Sequence, residues 1–499
     1  MMRDMTKGAP LGHLFLYAVP LLLGNWMQLA YNAVDSIIAG RFIGQDALAA
    51  EGVAGPVMNL VILAISGLCI GAGVLMSEAF GAKRTARLKE TLATTLLFGA
   101  ALCCAAAALG CALTPWILRA LAVPDSIFGI TGIYLRITFL GAPFTFFYNA
   151  LAAGLKSVGD SKTPLKFLAF SAVLNAVLDL ILIGGLGFGI VCSAVTTVVA
   201  EAASALLAAV YMARRVPELC PGHGQWRIRR DLLGPILRYG AVTAVQQAVQ
   251  PICKVLIQGQ VNALGVGAIA AFNAVTRVDD FAFTPEQSIA TAITTYIAQN
   301  RGAGQTARIR CGFAVGLRLE LGYWLLMGSL TLLLRRGHPV PVCGRGRGAA
   351  DVIALGSTYL GWMAVFYALP ALTNGFQGFY RGMGKMTTTL IGTCLQAGLR
   401  AAAAAVLAPR VGLPGIAFAC AFGWCVMLAF EVPYYFWTCR EWKLYKASPS
   451  GLRPQARVEA QPPEAALSAE TEAVRVSGLM RAELLRHPVK WLIPVTLPS

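Results

Sequence analysis

The chain has 499 residues, 57% of them hydrophobic and only 13% charged, with a formal net charge of +17. Soluble domains carry roughly 25% charged residues, so the composition excludes a soluble enzyme and points to a polytopic membrane protein. The positive charge does not indicate nucleic acid, because the basic residues sit in short loops between apolar runs.

The first apolar run, Leu14–Arg41, is long enough to cross a bilayer. It contains Pro20 and one full charge well before its end, Asp35. A carboxylate inside such a helix costs several kcal/mol and must face protein or water. The run leads straight into more membrane sequence, so no cleaved signal peptide is expected. Twelve apolar runs follow in order, at about 14–40, 47–79, 91–118, 126–155, 164–183, 187–213, 236–262, 266–299, 309–334, 351–379, 387–408 and 413–438.

Loop charge alternates along these runs. The connections after the even-numbered helices are basic, for example Lys83, Arg84, Arg87 and Lys89 after the second, and Lys156, Lys162 and Lys166 after the fourth. The odd connections are nearly bare. The positive-inside rule then predicts that both termini are cytoplasmic. One connection departs from the pattern: RRGHPVPVCGRGRGAAD after Leu334 is basic where an external loop is expected, and reads equally as a local sequence error. After Trp437 the helical pattern stops, and 441–499 is expected to be a disordered cytoplasmic tail.

The thirteen Cys form no CxxC and no zinc-type spacing with the four scattered His, so no metal centre is expected. Most Cys lie in apolar runs and read as small buried hydrophobes.

An internal repeat organises the chain. Gly81-Ala-Lys-Arg-Thr-Ala-Arg-Leu88 recurs as Gly302-Ala-Gly-Gln-Thr-Ala-Arg-Ile309, and Asn149–Gly159 lies over Asn374–Gly384. The offset spans six helices. An even number gives both halves the same sense, so the expected architecture is all-α, with twelve transmembrane helices in two pseudo-symmetric six-helix bundles around a central cleft. The expected bundles are 1–213 and 236–440, joined by a cytoplasmic linker, 214–235.

The chain resembles the multidrug and toxic compound extrusion (MATE) family, bacterial type, from about residue 5 to 440. The resemblance rests on PLLLGNWMQLAYNAVDSIIAGRFIG at 20–44, the GAKR loop, AAGLKSVGDSKTP at 152–164 and FNAVTRVDDFAFTPEQSIATAITTYIAQNRGAG at 272–304. It implies a secondary antiporter exporting organic cations or amphipathic drugs in exchange for H⁺ or Na⁺. No cofactor beyond that coupling ion is implied, and the protein is expected to act as a monomer in the bacterial cytoplasmic membrane.

Asn175 and Asp179 are four residues apart and share a helix face. The resemblance adds Asp35 and Thr197, giving a cation-coupling set of Asp35, Asn175, Asp179 and Thr197. Two adjacent carboxylates in low dielectric cannot both ionise cheaply, so such a pair can take up a proton. Na⁺ held through Asp35 and Asp179 is the alternative, and a purely structural polar network is the plain one.

Trp26, Met27, Tyr31, Met58, Phe144, Phe147, Tyr148 and Tyr367 offer aromatic and thioether surface for flat cations, though each alone reads as ordinary packing. Gln247, Asp280 and Asn374 complete the candidate substrate cavity. Arg277 and Asp280, three apart, read equally as an ion pair and as direct substrate contacts, with Lys254 and Arg400 balancing the neighbouring acids. The acids that some family members place on the seventh and tenth helices are missing here, which favours coupling in the first half. Glu51 and Glu201 lie in apolar runs with no assigned role. The glycine-rich turn Gly184–Gly189 lacks the Lys-Ser/Thr of a phosphate loop. A lipid-linked sugar flippase of the same superfamily is the alternative reading. A membrane enzyme or receptor is a further one, without a convergent catalytic set to support it.

Overall fold

The structure, a computed structural model, describes residues 2–337 and 347–447. Residues 1–435 form one compact unit; of the second unit, 436–499, only the end of the last helix is described. Most of the basic stretch after Leu334 and the tail beyond 447 lie outside the described residues.

The elements are helices α1 (Pro10–Ile38), α2 (Gln45–Gly81), α3 (Thr85–Ala120), α4 (Asp125–Ser157), α5 (Lys162–Asp179), α6 (Ile190–Arg215), α7 (Arg230–Asn262), α8 (Val266–Gly302), α9 (Thr306–Gly337), α10 (Arg347–Phe366), α11 (Ala368–Gly382), α12 (Met386–Val411) and α13 (Leu413–Ala447). A break at Tyr367 bends α10 from α11 by 43°, and the pair together is long and apolar enough to count as one bent span. Counted that way, the described helices make twelve. Eight are long and apolar enough to cross a membrane by composition alone, and the bent pair makes a ninth. Helices α7, α8 and α9 are more polar because they turn polar groups inward. Glu286 and Glu320 are 1% and 0% exposed, and Gln246 bonds Gln377 Oε1 at 2.6 Å. Such groups persist in a membrane helix only when turned into the protein interior, away from lipid.

Two large apolar clusters fill the interior. One gathers Leu68, Met76, Leu92, Phe146, Leu155 and Met212, with Leu232 and Ile236 from the start of α7. The other gathers Ile257, Phe272, Tyr359, Met363, Ala404 and Trp424. Helices α2, α3, α4 and α6 pack together, as do α8, α9, α10 and α11; α2 crosses onto α7 and α8, and α1 onto α8.

The chain's first residues and the repeated loops share one end of the unit. There, Gly81 and Gly302, the matching glycines of the repeat, face each other. A Cβ on Gly302 would lie 2.9 Å from the Ala82 amide nitrogen and closer still to the Glu78 carbonyl oxygen. One on Gly81 would lie 2.7 Å from Gln299 Cα and closer still to its carbonyl oxygen. Only glycine permits this reciprocal backbone contact. The second repeated motif also matches in backbone: Gly159 and Gly384 both take the left-handed conformation, at φ 84° and 72°.

The same end is tied by polar bonds between the halves of the chain. Arg301 pairs with Glu78. Tyr17 donates its hydroxyl to the Lys156 carbonyl at 2.9 Å and bonds the Thr295 hydroxyl at 3.1 Å. The N-terminal segment threads between them. Met5 donates its amide to Gln299 Oε1 at 3.0 Å, and its carbonyl accepts from Asn300 and Arg308 at 3.2 and 3.0 Å. Arg3 donates its amide to the Val158 carbonyl at 2.9 Å. Bonds between the halves continue inward to Asn25–Ser288 at 3.1 Å.

Candidate functional site

The site builds on two irregular helix ends. Asp35 lies four residues before the π-helical turn Ala39–Ile43 that follows α1, and Asp179 ends α5 immediately before the π-helical turn Leu180–Gly185. The two π turns touch. A π turn widens the helical ring and leaves backbone pairing less regular, which is why such turns recur at functional positions.

Asp179, fully buried, accepts a hydrogen bond from the Thr196 hydroxyl at Oδ1. Asn175 donates its amide to the Thr196 and Thr197 hydroxyls at 3.3 and 3.2 Å. Its helix position one turn before Asp179 makes this possible: both point at the same stretch of α6. Asp35, half-buried, comes within hydrogen-bonding reach of Asp179 and of Ser193. Asp179 Oδ2 finds no donor among the described residues. The Asp35–Asp179 contact joins two acceptors, and it becomes a hydrogen bond only with a proton between them. The named partners Asn175, Ser193 and Thr196 are neutral.

The structure thus brings Asp35, Asn175, Asp179 and Thr197 into one cluster. It also adds groups that sequence reasoning did not place. Thr196, rather than Thr197, bonds the carboxylate directly, and Ser193 reaches Asp35. Glu51 on α2 acts electrostatically on Asp35. Glu201 on α6 accepts the Thr145 hydroxyl and, with Asp35 and Asp179, surrounds Tyr31, which reaches Thr197. The only sequence signal for Glu51 and Glu201 was their presence inside apolar runs. Among the described residues no group of three or more His, Cys, Asp or Glu could hold a metal ion.

The expected cavity residues separate. Tyr31 joins the cluster. Trp26 is 38% exposed, on the same helix, and Met27 is half-buried beside it. Phe144 is exposed, whereas Phe147 packs against Phe146 and the first apolar cluster. Met58 packs against a small apolar cluster of α2, α3 and α4. The Tyr148 hydroxyl donates to the Pro164 carbonyl at 3.0 Å, tying α4 to α5. Gln247 reaches across to Ser66 at 3.5 Å. Tyr367 is 1% exposed and donates to Asp279, so it belongs to the interior rather than to an open surface. Asn374 donates to Glu286 at 3.2 Å. Asp280 pairs with Lys254 at 3.1 Å rather than with Arg277, because α7 brings the lysine beside it. Arg400 lies close to Asp279.

Similarity to known proteins falls along the same stretches. The MatE family model matches residues 20–181 and 243–406. The chain is 32% identical over 326 residues to the probable multidrug resistance protein YoeA of Bacillus subtilis, covering 64% of this chain and 70% of that protein. It is 28% identical over 398 residues to the probable multidrug resistance protein YpnP of the same organism, covering 78% and 86%. A solved outward-facing conformation of a multidrug resistance MATE family transporter superposes with a TM-score of 0.81 at 20% identity, covering 89% of this chain and 98% of that one.

Proposed function

This chain belongs to the MATE family of membrane transporters, and from that premise we propose that it is an antiporter expelling organic cations or amphipathic drugs against an inward flow of H⁺ or Na⁺ through Asp35 and Asp179. The observation that carries this reading is the meeting of the two carboxyls between α1, α5 and α6, with neutral hydroxyl and amide partners. A buried pair of acceptors with no fixed cation stabilises a mobile one, either a proton shared between them or a desolvated sodium.

In this reading the halves 1–213 and 236–440 rock about the linker 214–235, and both termini lie in the cytoplasm of a bacterial cell. Substrate binds between the halves, against Trp26, Met27 and Tyr31. Tyr31 touches both sites, since it neighbours the carboxyls and lies one turn from Met27. Loading the carboxyl pair changes the helix end beside it, and the π turn Ala39–Ile43 absorbs the movement. Coupling requires that ion and substrate prefer different states of the same element. Pro20 supplies a second flexible point, since it removes one backbone bond within α1.

The test is export of a fluorescent organic cation from proteoliposomes, with pH and Na⁺ gradients imposed separately. Asp35→Asn is expected to abolish gradient-driven export while the protein still inserts. Normal export by that variant would overturn the assignment. The gradient that drives the wild type identifies the ion.

A further inference from the structure

The second half of the chain holds another pair of carboxyls, outside the cluster just described. Glu286 lies on α8 beside Pro285, and Glu320 lies on α9; they are 1% and 0% exposed. Each is the other's charged neighbour. Glu286 accepts one hydrogen bond, from Asn374 on α11. Glu320 has no hydrogen-bond partner at either oxygen among the described residues. Its side chain packs toward α11, where Glu320 Cγ lies 3.8 Å from the Cβ position of Gly375, the residue after Asn374.

A bare carboxylate in this position is physically untenable. Burying an unpaired carboxylate costs several kcal/mol even after relaxation, and a second negative charge beside it adds to the cost. Among the described residues, the surroundings supply no compensating cation. The titratable groups facing the pair are Tyr323 on α9, whose hydroxyl is committed to the Ala282 carbonyl at 3.1 Å, and Tyr367 at the α10–α11 break, which is committed to Asp279. Helix α1, which packs on both α8 and α9, contributes the amide of Asn25, bonded to Ser288. Among the described residues, no Lys or Arg acts on either carboxyl.

We propose that Glu286 and Glu320 form a second proton-binding site, in which protonation of one carboxyl removes the repulsion within the pair and keeps α8, α9 and α11 packed. Its ligand is a proton, which neutralises the buried charge without other protein groups. Loss of that proton would leave two repelling charges between α8 and α9 and would loosen α11, the limb beyond the break. The site goes beyond the Asp35–Asp179 reading and does not depend on it.

The experiment is infrared difference spectroscopy of the purified full chain in lipid vesicles, in an Asp35→Asn, Asp179→Asn background that removes the two central carboxyls of the first cluster. Spectra are compared between acid and alkaline pH, with and without Na⁺. A protonated carboxylic-acid carbonyl band is expected at neutral pH, and Glu320→Gln is expected to reduce it. Thermal unfolding gives an independent readout. A proton bound only in the folded state stabilises at low pH and is lost as pH rises, so the unfolding midpoint of the background protein should fall towards alkaline pH. The midpoint of Glu320→Gln, a neutral isostere, should fall less. A carboxylic-acid band of unchanged size in both Glu320→Gln and Glu286→Gln would overturn the proposal. So would removal of the band by Na⁺ at neutral pH, which would make this a sodium site. Neither measurement involves transport, so either result stands apart from the outcome for Asp35.

Discussion

Gly302→Ala should open the end of the molecule where the repeated loops meet. The new Cβ would fall inside contact distance of the Glu78 carbonyl oxygen and 2.9 Å from the Ala82 nitrogen. Both are backbone atoms, so no side chain can rotate away, and α2 and α8 must separate. Overpacking of this kind costs up to about 3 kcal/mol, which shifts a two-state equilibrium by about 150-fold. Alanine also favours helix over glycine by up to about 1 kcal/mol, but that gain is common to both states, because α8 stays helical in each. The net effect therefore disfavours closure. Spin labels at Ala86→Cys and Ala307→Cys, exposed positions of the two repeated loops, would report the separation in a background without other cysteines. The variant should move the distance distribution from short to long and slow coupled transport. Gly398→Ala, where nothing lies near the added carbon, should leave the distribution unchanged. A short-distance population equal to wild type in Gly302→Ala would refute the packing argument.

The two threonines of α6 should differ. Thr196 donates to the Asp179 carboxylate, and a hydrogen bond to a charged group is worth about 1.5–3 kcal/mol. Thr196→Val should therefore change the half-saturating ion concentration for efflux by about tenfold or more, and Thr197→Val, which loses neutral contacts with Asn175 and Tyr31, by less; the reverse order would sink this assignment. At the N-terminus, partial burial acts to raise the Asp4 carboxyl, but hydrogen bonds from Lys83 and Thr6 outweigh it and hold it at about 2, below the ordinary 3.8. The group is depressed in the folded state, so its contribution is present above 3.8 and is lost as pH falls towards about 2. The gap in unfolding midpoint between wild type and Asp4→Asn should close over that window, and a gap that persists at pH 2 would show that the Asp4–Lys83 pair is not its source.

Much of this protein could be read along the chain. The apolar runs predicted helices, because a spanning segment must satisfy its own backbone, and the structure is all helical among the described residues. The repeat was legible as sequence, and Gly159 and Gly384 could be matched before their shared left-handed backbone was known. Asn175 and Asp179 could be placed on one face because four residues make about one helical turn. The boundary between α10 and α11 was not legible: the run 351–379 is continuously apolar, and hydropathy does not register a bend at Tyr367.

What the sequence determined by itself was local: which segments are helices, and which side chains share a face of one helix. The tertiary structure decided everything that joins different helices. It placed Thr196 rather than Thr197 on Asp179, paired Asp280 with Lys254 rather than Arg277, and brought Glu51 and Glu201 to the Asp35 cluster. It set Glu320 against Glu286 and closed Gly81 on Gly302. The physical reason is that helical periodicity fixes direction within an element, whereas partners on different helices, from 17 to more than 200 residues away, depend on how helices cross and rotate against one another, roughly 20–50° at 8–10 Å. A small change in that rotation turns a buried carboxyl from its partner to lipid.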